Sequence, residues 1–184
     1  MGLHWNWTSE LFLTVESTCS FVSKINLFFC LQTEFLLLSG NEFSGQIRDS
    51  FAFWRRLDFV DFSENRFTGT IPGSLFDIPT IRIVYMSDNE LEGPIPDNYG
   101  NAQLLKDLYL NNNMLTGQIP PIMMGEFTDL TELLLNGNNL TGTMPASICA
   151  TRVPGGELED LWSDCLGDIP EVECDCCSQC FVSA

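Results

Sequence analysis

The sequence predicts an α/β solenoid: a right-handed coil of five clear repeats, with a short parallel β-sheet on its concave face. Three observations support this prediction. One asparagine recurs at a near-constant interval, apolar residues precede it at fixed distances, and a glycine follows it by four residues in every copy. A period of about 20 to 50 residues is the signature of a repeat architecture. The repeated asparagines are Asn41, Asn65, Asn89, Asn113 and Asn138, separated by 24, 24, 24 and 25 residues.

The first element of each repeat is a short strand that ends near the asparagine. In the segment "LLKDLYLNNNMLTGQIP", Leu105, Leu108 and Leu110 lie eight, five and three residues before Asn113. Side chains alternate along a strand, so these leucines are expected to point into the coil. A single repeat cannot bury them, whereas stacked repeats can. The equivalent inward residues are Val60 and Phe62, Val84 and Met86, and Leu133 and Leu135.

The second element is the turn that carries the asparagine, whose amide is expected to bond backbone groups that the turn would otherwise bury unpaired. The glycine four residues later permits a tight backbone, and the following proline ends strand pairing on the convex side. Ten residues after each asparagine, an apolar residue is expected to line the convex half of the core. These residues are Phe51, Leu75, Tyr99, Met123 and Ile148, and the extra residue of the last interval is predicted to bulge near residues 123–127.

Together these residues resemble the leucine-rich repeat pattern L-x-x-L-x-L-x-x-N-x-L. The T-G-x-I-P segment that follows resembles the plant-type members of this family, found in receptor-like kinase ectodomains and polygalacturonase-inhibiting proteins. The resemblance covers about residues 33–150. It implies a non-catalytic binding module, a receptor ectodomain or a fragment of one, that recognises a protein, peptide or glycan through its concave face. An inhibitor of a secreted polysaccharide hydrolase and a structural fragment with no independent function are the alternatives left open.

The composition divides the chain into three parts. Residues 33–150 carry the repeats, and residues 151–184 are predicted to form a cysteine-rich C-terminal cap, because the last repeat of a coil leaves its core open. Residues 1–32 are predicted to form an N-terminal cap or a degenerate repeat with Phe12 and Leu13 inside, where Cys19 and Cys30 could pair. This start shows no basic segment followed by an apolar stretch and a cleavage site, so the sequence displays no secretory signal.

Six of the eight cysteines crowd the predicted cap. Disulfides would hold such a cap and would imply an oxidising compartment, so the protein is expected outside the cell or at the cell surface. Six cysteines allow many pairings, and the sequence leaves the choice open. A zinc-thiolate cluster is the competing interpretation, but the tight C-x-C-C spacing lacks the two separated ligand pairs of a zinc finger. The disulfide candidates are Cys149, Cys165, Cys174, Cys176, Cys177 and Cys180.

Two further features of the sequence agree with secretion. The segment "LEDLWSDC…EVECDCCSQC" resembles the cysteine-rich ends of leucine-rich repeat proteins from microalgae. The sequons that begin at Asn6 and Asn139 are candidate glycosylation sites.

The charge balance excludes several classes of function. With 8 basic and 25 acidic residues the chain carries a net charge of −17, which argues against nucleic acid and against an anionic membrane surface as partners. No apolar run is long enough for a membrane span.

His4 is the only histidine, and the sequence contains no nucleophile-elbow, phosphate-loop or kinase motif. We therefore expect no enzyme, no catalytic residue, no cofactor and no bound metal.

The residues between the buried strand positions are expected to form the concave face. Tyr85 and Tyr109 stand out, because exposed aromatic side chains with a polar tip are favoured at recognition hot spots. Several carboxylates make the face acidic, which favours a basic or neutral partner. The alternative is that these residues are ordinary strand formers and a solvated surface. The predicted ligand-binding residues are Phe59, Asp61, Ser63, Ile83, Tyr85, Ser87, Asp107, Tyr109, Asn111, Glu132, Leu134 and Asn136.

Overall fold

The computed structural model describes residues 33–121, 129–152, 157–167 and 171–182. Four expectations from the sequence lie outside these residues. They are the degenerate repeat around Phe12 and Leu13, the pairing of Cys19 with Cys30, the sequon at Asn6, and the convex bulge with its core residue Met123.

The described residues form thirteen short strands, three 3-10 helices and one α-helix. The 3-10 helices span Phe51–Phe53, Gly73–Leu75 and Asp97–Asn101, and helix α1 spans Ala146–Ala150. The strands are β1 (Phe35–Leu37), β2 (Ser44–Gln46), β3 (Phe59–Asp61), β4 (Arg66–Gly69), β5 (Ile83–Tyr85), β6 (Glu90–Gly93), β7 (Asp107–Tyr109), β8 (Met114–Gln118), β9 (Glu132–Leu134), β10 (Asn139–Thr143), β11 (Asp160–Leu166), β12 (Val172–Glu173) and β13 (Gln179–Val182).

The strands alternate between two parallel sheets. One sheet has seven strands in the order β1-β3-β5-β7-β9-β11-β13, and the other has six in the order β12-β10-β8-β6-β4-β2. Each repeat therefore contributes one strand to each sheet, as a coil of stacked turns requires. Strands about 4.8 Å apart make the larger sheet about 29 Å wide.

The larger sheet is the concave sheet that the sequence predicts. Its register is regular: Val60 pairs with Val84, Val84 with Leu108, and Leu108 with Leu133. These inward residues are at most 1 % exposed, as are Leu105 and Leu110. The prediction that the leucine-like positions before each asparagine fill the core is confirmed.

The repeated asparagines tie each turn of the coil to its neighbours. Asn113 Nδ2 donates to the carbonyls of Leu110 and Asn111 in its own turn, at 3.1 and 3.3 Å, and to that of Met86 one turn back, at 2.9 Å. Its Oδ1 accepts a hydrogen bond from the backbone N–H of Leu91, at 3.0 Å. Asn65, Asn89 and Asn138 repeat this pattern. We call these bonds the asparagine ladder.

The second sheet is absent from the sequence prediction. It is built from the residues directly after each asparagine, whose apolar members Leu91, Leu115 and Leu140 are buried in the core. The left-handed glycine comes near the end of each of these strands. Gly69 has φ 75°, and a Cβ there would lie 2.7 Å from Gln46 Cγ of the preceding turn. Glycine is required by both the backbone conformation and the close approach of adjacent turns.

The convex side is made of short helices and buried apolar residues. Pro72, Pro96 and Pro145 directly precede helices, so the proline ends the second strand and starts the convex turn. Phe51, Leu75, Tyr99 and Ile148 are at most 5 % exposed, which confirms that they line the convex half of the core.

The predicted cap continues the coil as well as closing it. Strands β11 and β13 extend the concave sheet beyond the five predicted strands, and β12 extends the second sheet. Three disulfides lie here, joining Cys149 to Cys176, Cys165 to Cys180 and Cys174 to Cys177. The cysteines thus form disulfides, as predicted. No helix among the described residues has the length and apolar character of a membrane span.

Asp164 ends one series of backbone hydrogen bonds between turns. In the preceding turns the backbone N–H groups at the asparagine and the residue before it donate to backbone carbonyls of the next turn. After the last asparagine the side chain of Asp164 accepts both, from Gly137 at 3.0 Å and from Asn138 at 3.1 Å. Asp164 is 3 % exposed, so one buried carboxylate replaces two missing carbonyls.

Candidate ligand-binding face

The outward residues of the concave sheet come from the first and third positions of its three-residue strands. In β3, β5 and β7 the middle residue is buried and both flanking residues are half-buried. This alternation places Phe59, Ile83, Asp107 and Glu132 in one row, in register across neighbouring strands. A second row holds residues that the same pairing brings into register, namely Asp61, Tyr85, Tyr109 and Leu134.

Aromatic rings cross this face in a band that Leu134 interrupts. Phe59 and Tyr85 make an edge-to-face contact with ring centroids 5.3 Å apart. Tyr85 and Tyr109 stack at 4.2 Å with 17° between their planes. Trp162 of β11 follows on the far side of Leu134 and packs against Phe181 at 5.5 Å. We call Phe59, Tyr85, Tyr109 and Trp162 the aromatic band.

Leu134 lies deeper than the sequence analysis assumed. It is 7 % exposed, although its position in the strand points to the concave side. Strand pairing places Tyr109 on one side of it and Trp162 on the other. Since both are large rings, they cover the leucine, and Leu134 supports the band more than it offers surface to a ligand.

Ser87 is also covered, at 6 % exposed. Its hydroxyl donates to Asn111 Oδ1 at 2.9 Å, across one turn of the coil. Ser63, Asn111 and Asn136, which occupy the same column of the repeat, are half-buried. At Ser87 and Asn111 the polar column is thus part of the internal hydrogen bonding of the sheet.

Three carboxylates stand side by side along the edge of the band. Strand pairing sets Asp107 beside Glu132 and Glu132 beside Asp160. Each accepts a hydrogen bond from a neutral group: Asp107 from Thr131 at 2.6 Å, Glu132 from the Tyr109 hydroxyl, and Asp160 from the Trp162 indole at 3.3 Å. The ion pairs of the described residues are Arg66–Glu42 and Arg82–Asp58, so none of these three carboxylates has a basic partner there.

The two tyrosines of the band remain protonated far above neutral pH. Burial raises the pKa of the Tyr85 hydroxyl. Burial also raises the pKa of Tyr109, and its hydrogen bond to the Glu132 carboxylate raises it further. Both hydroxyls are therefore neutral, and the Tyr109 hydroxyl is oriented by the carboxylate that it bonds.

Trp162 and Asp160 also belong to this face, although neither is among the predicted ligand-binding residues. A signal was present, because Leu158 and Leu161 repeat the three-residue spacing of Leu130 and Leu133. All four are at most 3 % exposed. This turn lacks the repeated asparagine, which concealed its strand, and Asp164 takes the place of two backbone carbonyls and not of that asparagine.

The sequon at Asn139 is placed away from the concave sheet. Asn139 is exposed and begins β10, a strand of the six-stranded sheet. A glycan attached there would leave the aromatic band uncovered.

Comparison with known proteins identifies the repeats. The sequence profile described as Leucine Rich Repeat matches residues 56–78, 104–125 and 129–150. No curated protein sequence matches the chain.

Solved structures similar to this chain are ectodomains of plant receptors. One is the leucine-rich repeat ectodomain of the plant membrane receptor kinase GASSHO1/SCHENGEN3 from Arabidopsis thaliana, in complex with CASPARIAN STRIP INTEGRITY FACTOR 2. It is 32% identical with a TM-score of 0.64, over 71% of this chain and 15% of that one.

Two further structures resemble the chain. The plant peptide hormone receptor RGFR1 in complex with RGF2 is 27% identical with a TM-score of 0.61, over 73% of this chain and 20% of that one. The BIR2 ectodomain from Arabidopsis thaliana is 32% identical with a TM-score of 0.54, over 61% of this chain and 57% of that one. The chain therefore spans a fifth or less of the first two. It is a leucine-rich repeat protein, and its repeats resemble those of plant receptor-kinase ectodomains.

Proposed function

We propose that this chain is a non-catalytic, extracellular recognition module that binds an extended protein or peptide segment on its concave sheet. The aromatic band bordered by carboxylates without basic partners is the observation that supports this function. The similar ectodomains of GASSHO1/SCHENGEN3 and RGFR1 are described in complex with CASPARIAN STRIP INTEGRITY FACTOR 2 and RGF2. In this proposal residues 33–150 carry the binding repeats and residues 151–184 form a cap that adds Trp162 to the face.

The band provides affinity through apolar contact. Tyrosine and tryptophan bury a large area and lose little side-chain entropy on binding, which is why they dominate binding hot spots. Tyr85 and Tyr109 already hold each other by stacking. A ligand therefore meets a preformed surface, and less free energy is lost in ordering the rings.

The carboxylates provide selectivity by charge. Asp107, Glu132 and Asp160 stand on adjacent strands without basic partners in the described part of the chain. A cationic side chain of a ligand would relieve the repulsion among them, whereas an acidic ligand would add to it. The preferred ligand thus combines an apolar residue for the rings with a lysine or arginine for the carboxylates.

A concave-face recognition role can be tested by selecting peptides from a random displayed library on the wild-type protein. The dissociation constants of the selected peptides would then be measured for the variant Tyr85→Ala/Tyr109→Ala. We expect binding to weaken by at least about tenfold, since hot-spot truncations cost about 2 kcal/mol or more. Phe53→Ala is the matched control, because Phe53 is a 67 % exposed aromatic residue on the convex side.

Two outcomes would contradict the proposal. One is that Phe53→Ala weakens the selected peptides as much as the double variant does. The other is that all selected peptides bind the double variant with wild-type affinity. An inhibitor of a secreted polysaccharide hydrolase stays an untested alternative, and no feature of the face favours it.

A further inference from the structure

The three cap disulfides bring sulfur atoms from different bridges close together. The Sγ atoms of Cys165, Cys174 and Cys177 all lie within 4.8 Å of one another. Two of them belong to the bridge Cys174–Cys177, and the third belongs to Cys165–Cys180. All three residues are half-buried, so solvent reaches the cluster.

Disulfides exchange when a thiolate attacks a disulfide sulfur, so the reaction requires an accessible thiolate close to the sulfur that it attacks. We propose that the cap is a thiol–disulfide exchange site that takes a dithiol as its reductant. The dithiol opens Cys174–Cys177, and one freed thiolate then attacks Cys165 and displaces Cys180.

The electrons and atoms balance in two steps. In the first, the dithiol transfers two electrons and two protons to Cys174–Cys177 and becomes a cyclic disulfide, leaving two cysteine thiols. In the second, the thiolate of Cys174 or Cys177 forms a bond to Cys165 Sγ as the bond to Cys180 breaks. Cys180 leaves as a thiolate and takes up the proton that the attacking thiol has lost. The second step requires no further reductant.

Cys174–Cys177 is the bridge expected to open first. It joins residues only three positions apart, whereas Cys165–Cys180 and Cys149–Cys176 span 15 and 27. A bridge that closes a short loop restricts the unfolded chain least, so its loss destabilises the fold least. It is also flanked by Asp175 and Ser178, which are exposed.

The second step changes what holds the edge strand. Cys165 lies in β11 and Cys180 in β13, so their bridge is the covalent link between the last two strands of the concave sheet. Phe181, next to Cys180, packs against Trp162 of the aromatic band. Exchange moves the covalent link of Cys165 from Cys180 in β13 to Cys174 or Cys177 before that strand, so β13 itself is held to β11 by hydrogen bonds and this ring contact, among the contacts of the described residues. Reduction of the Cys174–Cys177 bridge is thereby transmitted to an edge strand of the concave sheet.

The exchange is tested on the folded chain with a limiting amount of dithiothreitol. Samples are quenched in acid at intervals, free thiols are alkylated, and the remaining links are mapped by mass spectrometry of non-reduced peptides. We expect alkylated Cys180 together with a new link from Cys165 to Cys174 or Cys177. Three results would overturn the proposal: persistent alkylation of Cys174 and Cys177 alone, initial opening of another bridge, or a link between Cys174 and Cys176.

Two single variants test the same step without a reductant. Cys174→Ser removes the Cys174 sulfur, which also lies 4.0 Å from that of Cys176, and leaves the Cys177 thiol inside the sulfur cluster. We therefore expect loss of the Cys165–Cys180 link from most molecules. Cys176→Ser is the matched control, because it leaves the thiol of Cys149, which is not one of the three clustered residues. The control is expected to keep Cys165–Cys180 intact. Equal retention of the Cys165–Cys180 link in both variants, with native circular dichroism spectra, would refute the exchange. If a variant fails to fold, the dithiothreitol time course on the wild-type protein still tests the proposal.

Discussion

The repeats and the cap both hold adjacent turns of the coil together, but they do so with different bonds. In the repeats each turn is held to the next by the asparagine ladder, because the same side chain donates within its own turn and to the preceding turn and also accepts from that preceding turn. In the cap the ladder stops, Asp164 accepts the last two N–H groups, and three disulfides hold the remaining turns. Hydrogen bonds suffice where every turn has two like neighbours, while the end of the coil has one neighbour and uses covalent bonds.

The largest effect is expected from breaking the ladder in its middle. Asn113→Ala removes four hydrogen bonds, leaves the N–H of Leu91 buried without a partner, and takes one of two side-chain donors from each of the carbonyls of Met86 and Leu110. Since each lost hydrogen bond costs about 0.5–1.5 kcal/mol and an unpaired buried N–H about 1–3 kcal/mol, we expect the free energy of unfolding in urea to fall by about 4 kcal/mol.

Asn41→Ala is the matched control for this prediction. Asn41 occupies the same repeat position, but it is exposed and its side-chain amide donates to Leu38 and Ser39 in its own turn. Its replacement is expected to cost less than about 1 kcal/mol. Equal losses for both variants would show that the ladder is not what holds the repeats.

The next largest effect is expected from the longest bridge of the cap. Cys149→Ala/Cys176→Ala removes a link across 27 residues that ties helix α1 to the cap. Loop-closure entropy gives an expected loss of about 3–4 kcal/mol. The loss would be measured by urea denaturation, with Cys174→Ala/Cys177→Ala as the control that removes the three-residue bridge and costs less. If removing the Cys174–Cys177 bridge lowered the free energy of unfolding more than removing Cys149–Cys176, the length of the closed loop would not explain the stability of the cap.

A smaller effect is expected at the junction of the two regions. Asp164→Ala leaves the backbone N–H groups of Gly137 and Asn138 without their acceptor. We expect a loss of about 2–3 kcal/mol in thermal or urea unfolding, because both groups are part of the buried turn. Asp175→Ala removes an exposed carboxylate of the cap and is expected to change stability by less than about 0.5 kcal/mol. If Asp164→Ala lowered the free energy of unfolding no more than Asp175→Ala does, the Asp164 carboxylate would not be what satisfies the last turn.

The smallest effect concerns the backbone just before the asparagine. Glu64, Asp88 and Asn112 have φ of 54°, 55° and 56°, and Gly40 and Gly137 occupy the same column. Glu64→Gly is expected to stabilise the protein by about 0.5–1 kcal/mol, since glycine adopts this conformation without strain. Asn112→Gly is the control with no gain expected, because asparagine tolerates the left-handed region and its amide bonds Asp88 Oδ1 at 2.8 Å. If Glu64→Gly lowered the free energy of unfolding, the left-handed backbone at Glu64 would not be a source of strain.

Periodic features of the sequence were enough to predict the concave sheet and its core. Leu108 and Leu110 are buried because alternation along a strand is local, and the asparagine spacing sets the length of one turn. The rows of outward residues followed from the same alternation, so Tyr85 and Tyr109 could be placed side by side in advance. The second sheet could not be predicted, because its strands, such as Ser44–Gln46, carry no alternation of their own and pair only when turns stack.

The candidate face was predicted in part for the same reason. The column positions of Leu134 and Ser87 are encoded in the repeat, but their burial depends on residues of the adjacent turns. Trp162 lies beside Leu134 on a strand that lacks the asparagine, so its register was indicated only by the spacing of Leu158 and Leu161. Disulfide pairing was open for the same reason, because it depends on which sulfurs the folded cap brings together.

By itself, the amino-acid sequence determined the repeating turn: its length, its buried positions, its asparagine and its glycine. These are short-range properties, since each follows from alternation, backbone conformation or hydrogen-bonding capacity within a few residues. Only the tertiary structure decided how the coil ends, through Asp164 and the pairing of six cysteines, and how the aromatic band closes over Leu134. Those features require contacts between residues about 25 positions apart in different turns, and such contacts exist only once the turns have stacked.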